Sequence, residues 1–224
     1  MIAAIVETVS TKGDEYEIVC VNDASPDKLE SVLLRLAGAN KCIKVINLAQ
    51  NIGQHRGIAL GMRYVTGDVV VNLDDDGQTD PRQCYKLIDL LDGSADMVFA
   101  RYLVKRESLI RRVGSAVHVF LFKLMHRTKT RFVLNSYMAC TGKVAEEIAE
   151  YDAFYKAVCS QNFIRSKIVK NATVEHFDRK YGQSTYSLSR LAKMLLSEIR
   201  VSFGLDKEVV SPPIIKSTIN IDRK

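Results

Sequence analysis

No run of 18 apolar residues occurs in the 224-residue chain, so no transmembrane helix is expected from it. The opening residues, MIAAIVETVSTKGDE, lack a basic n-region and a cleavage site, and a signal peptide is not expected either. Cysteine pairing is also missing: Cys20, Cys42, Cys84, Cys140 and Cys159 lie far apart, in odd number, with no C-x-x-C. That spacing speaks against a disulfide framework or a zinc site. It suits a reducing cytoplasm, with the cysteines as small core residues. No internal repeat or low-complexity tract breaks the chain.

What is present is ordinary for a globular protein: 47% hydrophobic and 26% charged residues, enough for one sizeable core. The formal net charge is +6 and the pI about 9.0. A basic balance suits nucleic acid, anionic lipid or phosphorylated ligands without choosing between them.

From residue 16 the pattern alternates. YEIVCVN (16–22), CIKVINL (42–48), DVVVNL (68–73) and DMVFA (96–100) are short apolar runs, and helical spacing fills 26–37, 54–65 and 81–92 between them. Pro81 fits a first helical turn, where no N–H is needed. Near-continuous apolar strands separated by helices predict an α/β fold, with a mostly parallel central sheet covered on both faces. Ligands of such sheets gather at the carboxyl ends of the strands, where Asp23 and Asp74–Asp76 fall. Further on, 107–126 and 185–203 read as basic amphipathic helices and KIVKNATVEHF (167–177) as a strand. The tail, 204–224, with two prolines and no helical pattern, is expected to be loosely ordered.

The stretch VNLDDDGQTDP (71–81) carries the chemistry. Crowded carboxylates raise one another's pKa unless something positive sits among them. A solvated acidic turn is one reading. An EF-hand fails, because its twelfth position is Gln83 where a bidentate Glu is needed, and a strand precedes the loop. A phosphatase motif of the D-x-D-G-T kind fits weakly, since Gln78 intervenes before Thr79. A metal-bound nucleotide site is the fourth reading. Carboxylates at i and i+2 after a parallel strand grip one face of Mg²⁺ or Mn²⁺, and Gln78 adds an amide oxygen.

Three motifs in order, VNDASPD, NLAQNIGQHRGIALGMRYVTGDVVVNLDDDGQTDP and HFDRKYGQSTYSLSRL, resemble the inverting family-two glycosyltransferases of the GT-A fold. The similarity runs over about residues 2–203 and is closest to the dolichyl- or polyprenyl-phosphate sugar synthases. It implies one GT-A domain over 1–203, with a nucleotide-sugar half (1–105) and an acceptor and membrane-proximal half (106–203). It also implies roles for matching positions. Asp23 would hold the base or ribose of a nucleotide sugar, with Asp75 among the donor contacts. Asp74, Asp76 and Gln78 would ligate the metal through a DxD motif, making Asp76 catalytic. Arg179 would reach the diphosphate, with Ser184 near it, and Arg101 would lie near the acceptor phosphate. His55 and His176 are read as structural.

The implied reaction moves a sugar from a nucleotide sugar to a lipid-linked acceptor, polyprenyl phosphate, in cell-envelope glycan synthesis. It takes place at the cytoplasmic, inner face of the membrane, on an anionic surface met by the basic helices, with no nucleic-acid partner. A hydroxyl acceptor needs a general base. The one acidic pair of suitable type, Glu146–Glu147, reads as helical, and Asn135 stands where related chains often carry Asp. An ionised phosphate needs no base.

The start of the chain supports an alternative. Relatives open with an apolar strand that lies inside the sheet, whereas Met1 leads directly into the helical pattern IAAIVETV. A missing first strand would leave strand 16–22 without a neighbour on one edge. The result would be a truncated or inactive nucleotide-sugar-binding module.

Overall fold

Strands and helices alternate from the first residues onward, as the apolar periodicity predicts. The computed structural model describes residues 1–103, 132–160, 163–164, 166–177, 196, 200 and 212–221. The expected helix over 107–126, and 185–203 apart from 196 and 200, lie outside the described residues, as do Arg179 and Ser184. The chain divides into two compact units whose segments interleave, where the sequence reading draws two sequential halves. One unit comprises the described residues of Ile2–Val70, Gly142–Tyr155 and Val209–Lys224. The other takes Val71–Thr141 and Lys156–Glu208.

In the first unit, helix α1 (Ile2–Lys12) ends at Gly13, whose φ of 75° only glycine adopts without strain and whose N–H reaches back to Val9 O. Strand β1 (Ile18–Asn22) then pairs in parallel with β2 (Ile43–Leu48), from Ile18↔Ile43 to Asn22↔Asn47. Helix α2 (Leu29–Ala39) packs Leu33 and Ala37 against Ile18, Cys20 and Val45. Helix α3 (Gln54–Met62) places Leu60 with Val19, Val21 and Ile46. Successive strand residues point to opposite faces, so the two helices cover both sides of the pair. Gly57 and Gly61, one turn apart, bring α3 close to Val21, which would lie 3.8 and 3.4 Å from a Cβ at those positions. Glu17 accepts bonds from Lys44 and from the Thr66 and Gly67 amides, pinning the turn at 66–67 to the start of β1.

Two features depart from expectation. The tail is not loosely ordered over 215–219: Ile215–Ile219 forms β7, antiparallel to β2, with Val45↔Ile219 and Asn47↔Ser217 in register. A side-chain ladder crosses all three strands, Asn22 Nδ2 to Asn47 Oδ1 and Asn47 Nδ2 to Ser217 Oγ, both at 3.0 Å. Asn22 and Asn47 are buried, and burying such amides costs little only when they are hydrogen-bonded in this way. Strand β1, in turn, has β2 as its one hydrogen-bonded neighbour among the described residues, where its apolar run predicts one on each edge. Its residues Ile18–Val21 are accordingly only half-buried.

The second unit is built on a sheet of order β3–β5–β4–β6, with β3 at Val69–Asn72, β4 at Met97–Tyr102, β5 at Met138–Thr141 and β6 at Val169–Val174. β4 runs parallel to β6 and antiparallel to β5. The α/β class holds, with mixed rather than mostly parallel pairing, because β5 and β7 each enter antiparallel. Asp80 caps a short 3₁₀ turn, Pro81–Gln83, which leads into α4 (Cys84–Ile88). Leu87 of α4 is buried with Val98, Ala100, Tyr137, Ala139, Ala172 and Val174. Cys140 of β5 is also buried, and burial pushes its thiol pKa up to about 12, so it stays protonated and inert. Helix α5 (Gly142–Ala149) belongs to the first unit; Glu146 and Glu147 lie on it, as their helical pattern predicts.

Candidate functional site

The acidic loop leaves the carboxyl end of β3. Gly77 turns it at φ 71°, a left-handed conformation that a side chain would strain. Asp76 Oδ1 accepts from Gln78 N at 3.0 Å, closing a tight Asx turn. Asp74 Oδ2 accepts from Ser136 Oγ at 2.6 Å, and Asn72 Nδ2 donates to Ser136 O at 2.8 Å. Gln78 pairs with Phe177 beyond β6: Phe177 N donates to Gln78 O at 2.8 Å and Gln78 Nε2 to Phe177 O at 3.3 Å. One turn on, Gln83 brackets Glu175, its Oε1 accepting from Glu175 N and its Nε2 donating to Glu175 O. Residues 78–83 and 175–177 are therefore stitched together at the carboxyl ends of their strands.

Three side chains, Tyr102, His176 and Ser136, belong to this neighbourhood, and of these the sequence pattern singles out only His176. Tyr102, at the end of β4, packs on His176 with ring centroids 4.2 Å apart and the rings tilted by 50°. Burial pushes its hydroxyl pKa up, a hydrogen bond with Asn135 opposes the shift, and the charges of Asp74 and Asp76 reinforce it. Ser136 is the third. Asn135 is held on both sides, its Nδ2 donating to Ala100 O and its Oδ1 accepting from Tyr137 N. An amide so placed offers no general base. Arg101 is exposed on β4, in register with Thr173 of β6, and Asp75 is exposed in the loop.

The donor set fits a hard divalent cation. Asp74, Asp76 and Gln78 carry side-chain oxygen atoms at alternate loop positions. Among the described residues no group of three or more His, Cys, Asp or Glu side chains is placed to hold a metal ion by itself. A Mg²⁺-type ion needs none, since it is held by one or two carboxylates, waters and the phosphates of its substrate.

Asp23 belongs to the other unit, in the loop after β1. Its two carboxylate oxygens accept from Ile52 N at 2.6 Å and Gly53 N at 2.9 Å, just before α3, and Asn51 Nδ2 donates to its carbonyl. This carboxylate holds two strand-end loops together. Asp23→Ala is expected to cost roughly 2 kcal/mol or more, which lowers the melting temperature by about 4–8 °C in a chain of this size. A thermal melt indistinguishable from wild type would remove Asp23 from that structural role. His55 lies against Phe154 and Tyr155, with ring centroids 6.3 and 5.5 Å away, in keeping with its structural reading.

Residues 1–145 match Glycosyl transferase family 2. The chain belongs to this family. Among curated family-two relatives, it is 28% identical over 186 residues to an undecaprenyl-phosphate 4-deoxy-4-formamido-L-arabinose transferase of Photorhabdus laumondii, covering 81% of this chain and 56% of that protein. The enzyme of the same description from Edwardsiella ictaluri is 28% identical over 191 residues, with coverages of 82% and 57%. The chain thus spans little more than half the length of these relatives. Two solved structures share the fold. Glucosyl-3-phosphoglycerate synthase from Mycobacterium tuberculosis, in complex with Mn²⁺, UDP and glucosyl-3-phosphoglycerate, has TM-score 0.59 at 14% identity, covering 96% of this chain and 84% of that one. A mannosyltransferase from Pyrobaculum calidifontis, in complex with GDP-mannose and Mn²⁺, has TM-score 0.52 at 15% identity, with coverages of 94% and 62%. The family-two chain therefore has GT-A neighbours, as its motifs imply.

Proposed function

We propose that this family-two chain carries out the metal-dependent, inverting transfer of a sugar from a nucleotide sugar to polyprenyl phosphate, in cell-envelope glycan synthesis. The observation that carries the reading is the loop Asp74–Gln78: three oxygen-donor side chains at alternate positions, beyond the carboxyl end of β3. The names of the Photorhabdus and Edwardsiella relatives support a polyprenyl-phosphate acceptor.

In this reading Asp74, Asp76 and Gln78 hold Mg²⁺ or Mn²⁺, Asp75 joins the donor contacts, and Asp23 contacts the nucleoside. When bound, the ion supplies Lewis-acid neutralisation of the leaving diphosphate. Arg179 adds a fixed cation on the same diphosphate, with Ser184 beside it, which stabilises charge as it develops. Arg101 holds the acceptor phosphate. That phosphate is ionised near neutral pH and attacks C1 from the face opposite the leaving group, inverting the anomeric centre. The acceptor needs no proton removed, which is consistent with the amide of Asn135 in place of a carboxylate.

No described helix is long and apolar enough to cross a membrane. The proposal puts the chain at the inner face of the cell membrane through the basic faces of 107–126 and 185–203, each Lys or Arg near an anionic surface contributing about 1 kcal/mol.

A product assay tests the function. UDP- and GDP-sugars are offered with Mn²⁺ to polyprenyl phosphate and, in parallel, to the uncharged polyprenol. Transfer to the phosphate alone is expected. Equal transfer to the alcohol would overturn the phosphate-acceptor reading, and nucleotide-sugar binding without turnover would select the binding-module alternative.

A further inference from the structure

One short contact to the acidic loop, 2.6 Å, comes from outside the loop, from the approach to another strand. Ser136 stands two residues before β5, the sheet neighbour of β3, and reaches the end of β3 in two ways. Its carbonyl accepts from Asn72 Nδ2, within β3, and its hydroxyl donates to Asp74 Oδ2, just beyond it. A serine hydroxyl has one proton to give. The alternative acceptor, Asn135 Oδ1, lies at 3.5 Å against 2.6 Å for the carboxylate, and a charge-assisted bond is both shorter and stronger than a neutral one. The proton therefore belongs to Asp74.

The hydroxyl is not carried on a loose loop. Asn135, immediately before it, is tied to Ala100 of β4, and Tyr137, immediately after it, is fully buried and donates no freedom to the turn. Tyr137 O accepts from Ala100 N at 2.9 Å, and Met138–Cys140 pair with Met97–Phe99. The position of Ser136 Oγ is thus set by the core of the sheet. A carboxylate oxygen held by such a group is anchored in place before any ligand arrives. Asp76 is fixed differently, by an amide within its own loop.

We propose that Ser136 is the positioning residue for Asp74: by holding Oδ2 from the core of the sheet, it pre-orients the carboxylate and sets the affinity of the acidic loop for its divalent cation. This inference rests on reading Asp74, Asp76 and Gln78 as the metal site. Ser136 touches neither metal nor substrate in this role and acts through Asp74. Partners of metal ligands typically change metal affinity about 10- to 100-fold when removed. A merely structural staple between β3 and β5 would instead change stability and leave the affinity of the folded protein alone.

The experiment measures Mn²⁺ binding to the full chain in the presence of UDP or GDP, by electron paramagnetic resonance of free Mn²⁺, alongside metal-free melting. Ser136→Ala should weaken Mn²⁺ about 10- to 100-fold, and Ser136→Thr, which keeps the hydroxyl, should recover most of that loss. Ser136→Cys, of similar size but a weak donor, should behave like Ser136→Ala and serves where the alanine variant folds poorly. Wild-type Mn²⁺ affinity in the folded Ala or Cys variant, with affinity lost in Asp76→Ala, would overturn the positioning role and leave the metal site standing. Wild-type affinity in Asp76→Ala would overturn the metal site and the inference together.

Discussion

Asp76→Ala is expected to abolish metal-dependent binding of the nucleotide sugar and to lower transfer by roughly 100- to 1,000-fold or more, the scale seen when a group stabilising developing charge is removed. The fold should survive. Asp76 lies on a strand-end loop, its carboxylate accepting from Gln78 N, and no part of it enters the core around Leu87 and Val98. Substitutions away from core, caps and buried networks usually stay within about 0.5 kcal/mol. Calorimetric titration of UDP- and GDP-sugars with Mn²⁺ present, together with a melt of the ligand-free protein, separates the two effects. A variant that binds the nucleotide sugar as tightly as wild type would take Asp76 out of the site.

Arg179→Ala should weaken a nucleoside diphosphate relative to its nucleoside by about 1.5–3 kcal/mol, or roughly 10- to 150-fold, because the contact removed is a charge-assisted bond to phosphate. The sign is robust to small structural change, since a general loosening of the pocket would weaken both ligands alike. Titrating the pair of ligands against wild type and variant measures the difference directly. Equal losses would move Arg179 away from the diphosphate.

The elements legible in the sequence are those whose stability is local or strongly patterned. β1, β2 and β4 are short apolar runs rich in Val and Ile or Phe, a pattern that suits a strand covered on both faces, though β1 is only half-buried. The acidic loop is legible because its chemistry lies in consecutive residues. β5 is not: Met-Ala-Cys-Thr has little strand preference of its own, and it is extended because it pairs with Met97–Phe99. β7 follows two prolines, and its partner β2 is some 170 residues earlier. The predicted helix over 81–92 breaks into a 3₁₀ turn, a short α-helix and a second 3₁₀ turn. In the candidate site the same division holds. Asp74, Asp76 and Gln78 announce themselves, whereas Ser136 acquires its role from a contact spanning 62 positions that no local pattern encodes. Asp23 was legible as a strand-end carboxylate, but its grip on the Ile52 and Gly53 amides depends on a loop about 30 residues away.

The strand Ile215–Ile219 has a consequence for how the molecule is made. Asn47 meets Ser217, so the outer edge of β2 does not gain β7 until a segment 170 residues later has left the ribosome. Closing a loop of that length adds only a few kcal/mol of entropy, but it must be closed before β7 returns any bonding. During synthesis the first unit is therefore a two-stranded ribbon flanked by α2 and α3, with a bare edge available to any extended segment nearby. Until Ser217 arrives, the amide of Asn47 has only Asn22 to bond across the strands. Arrival of Ile215–Ile219 converts the half-built sheet into one whose register is locked from strand to strand.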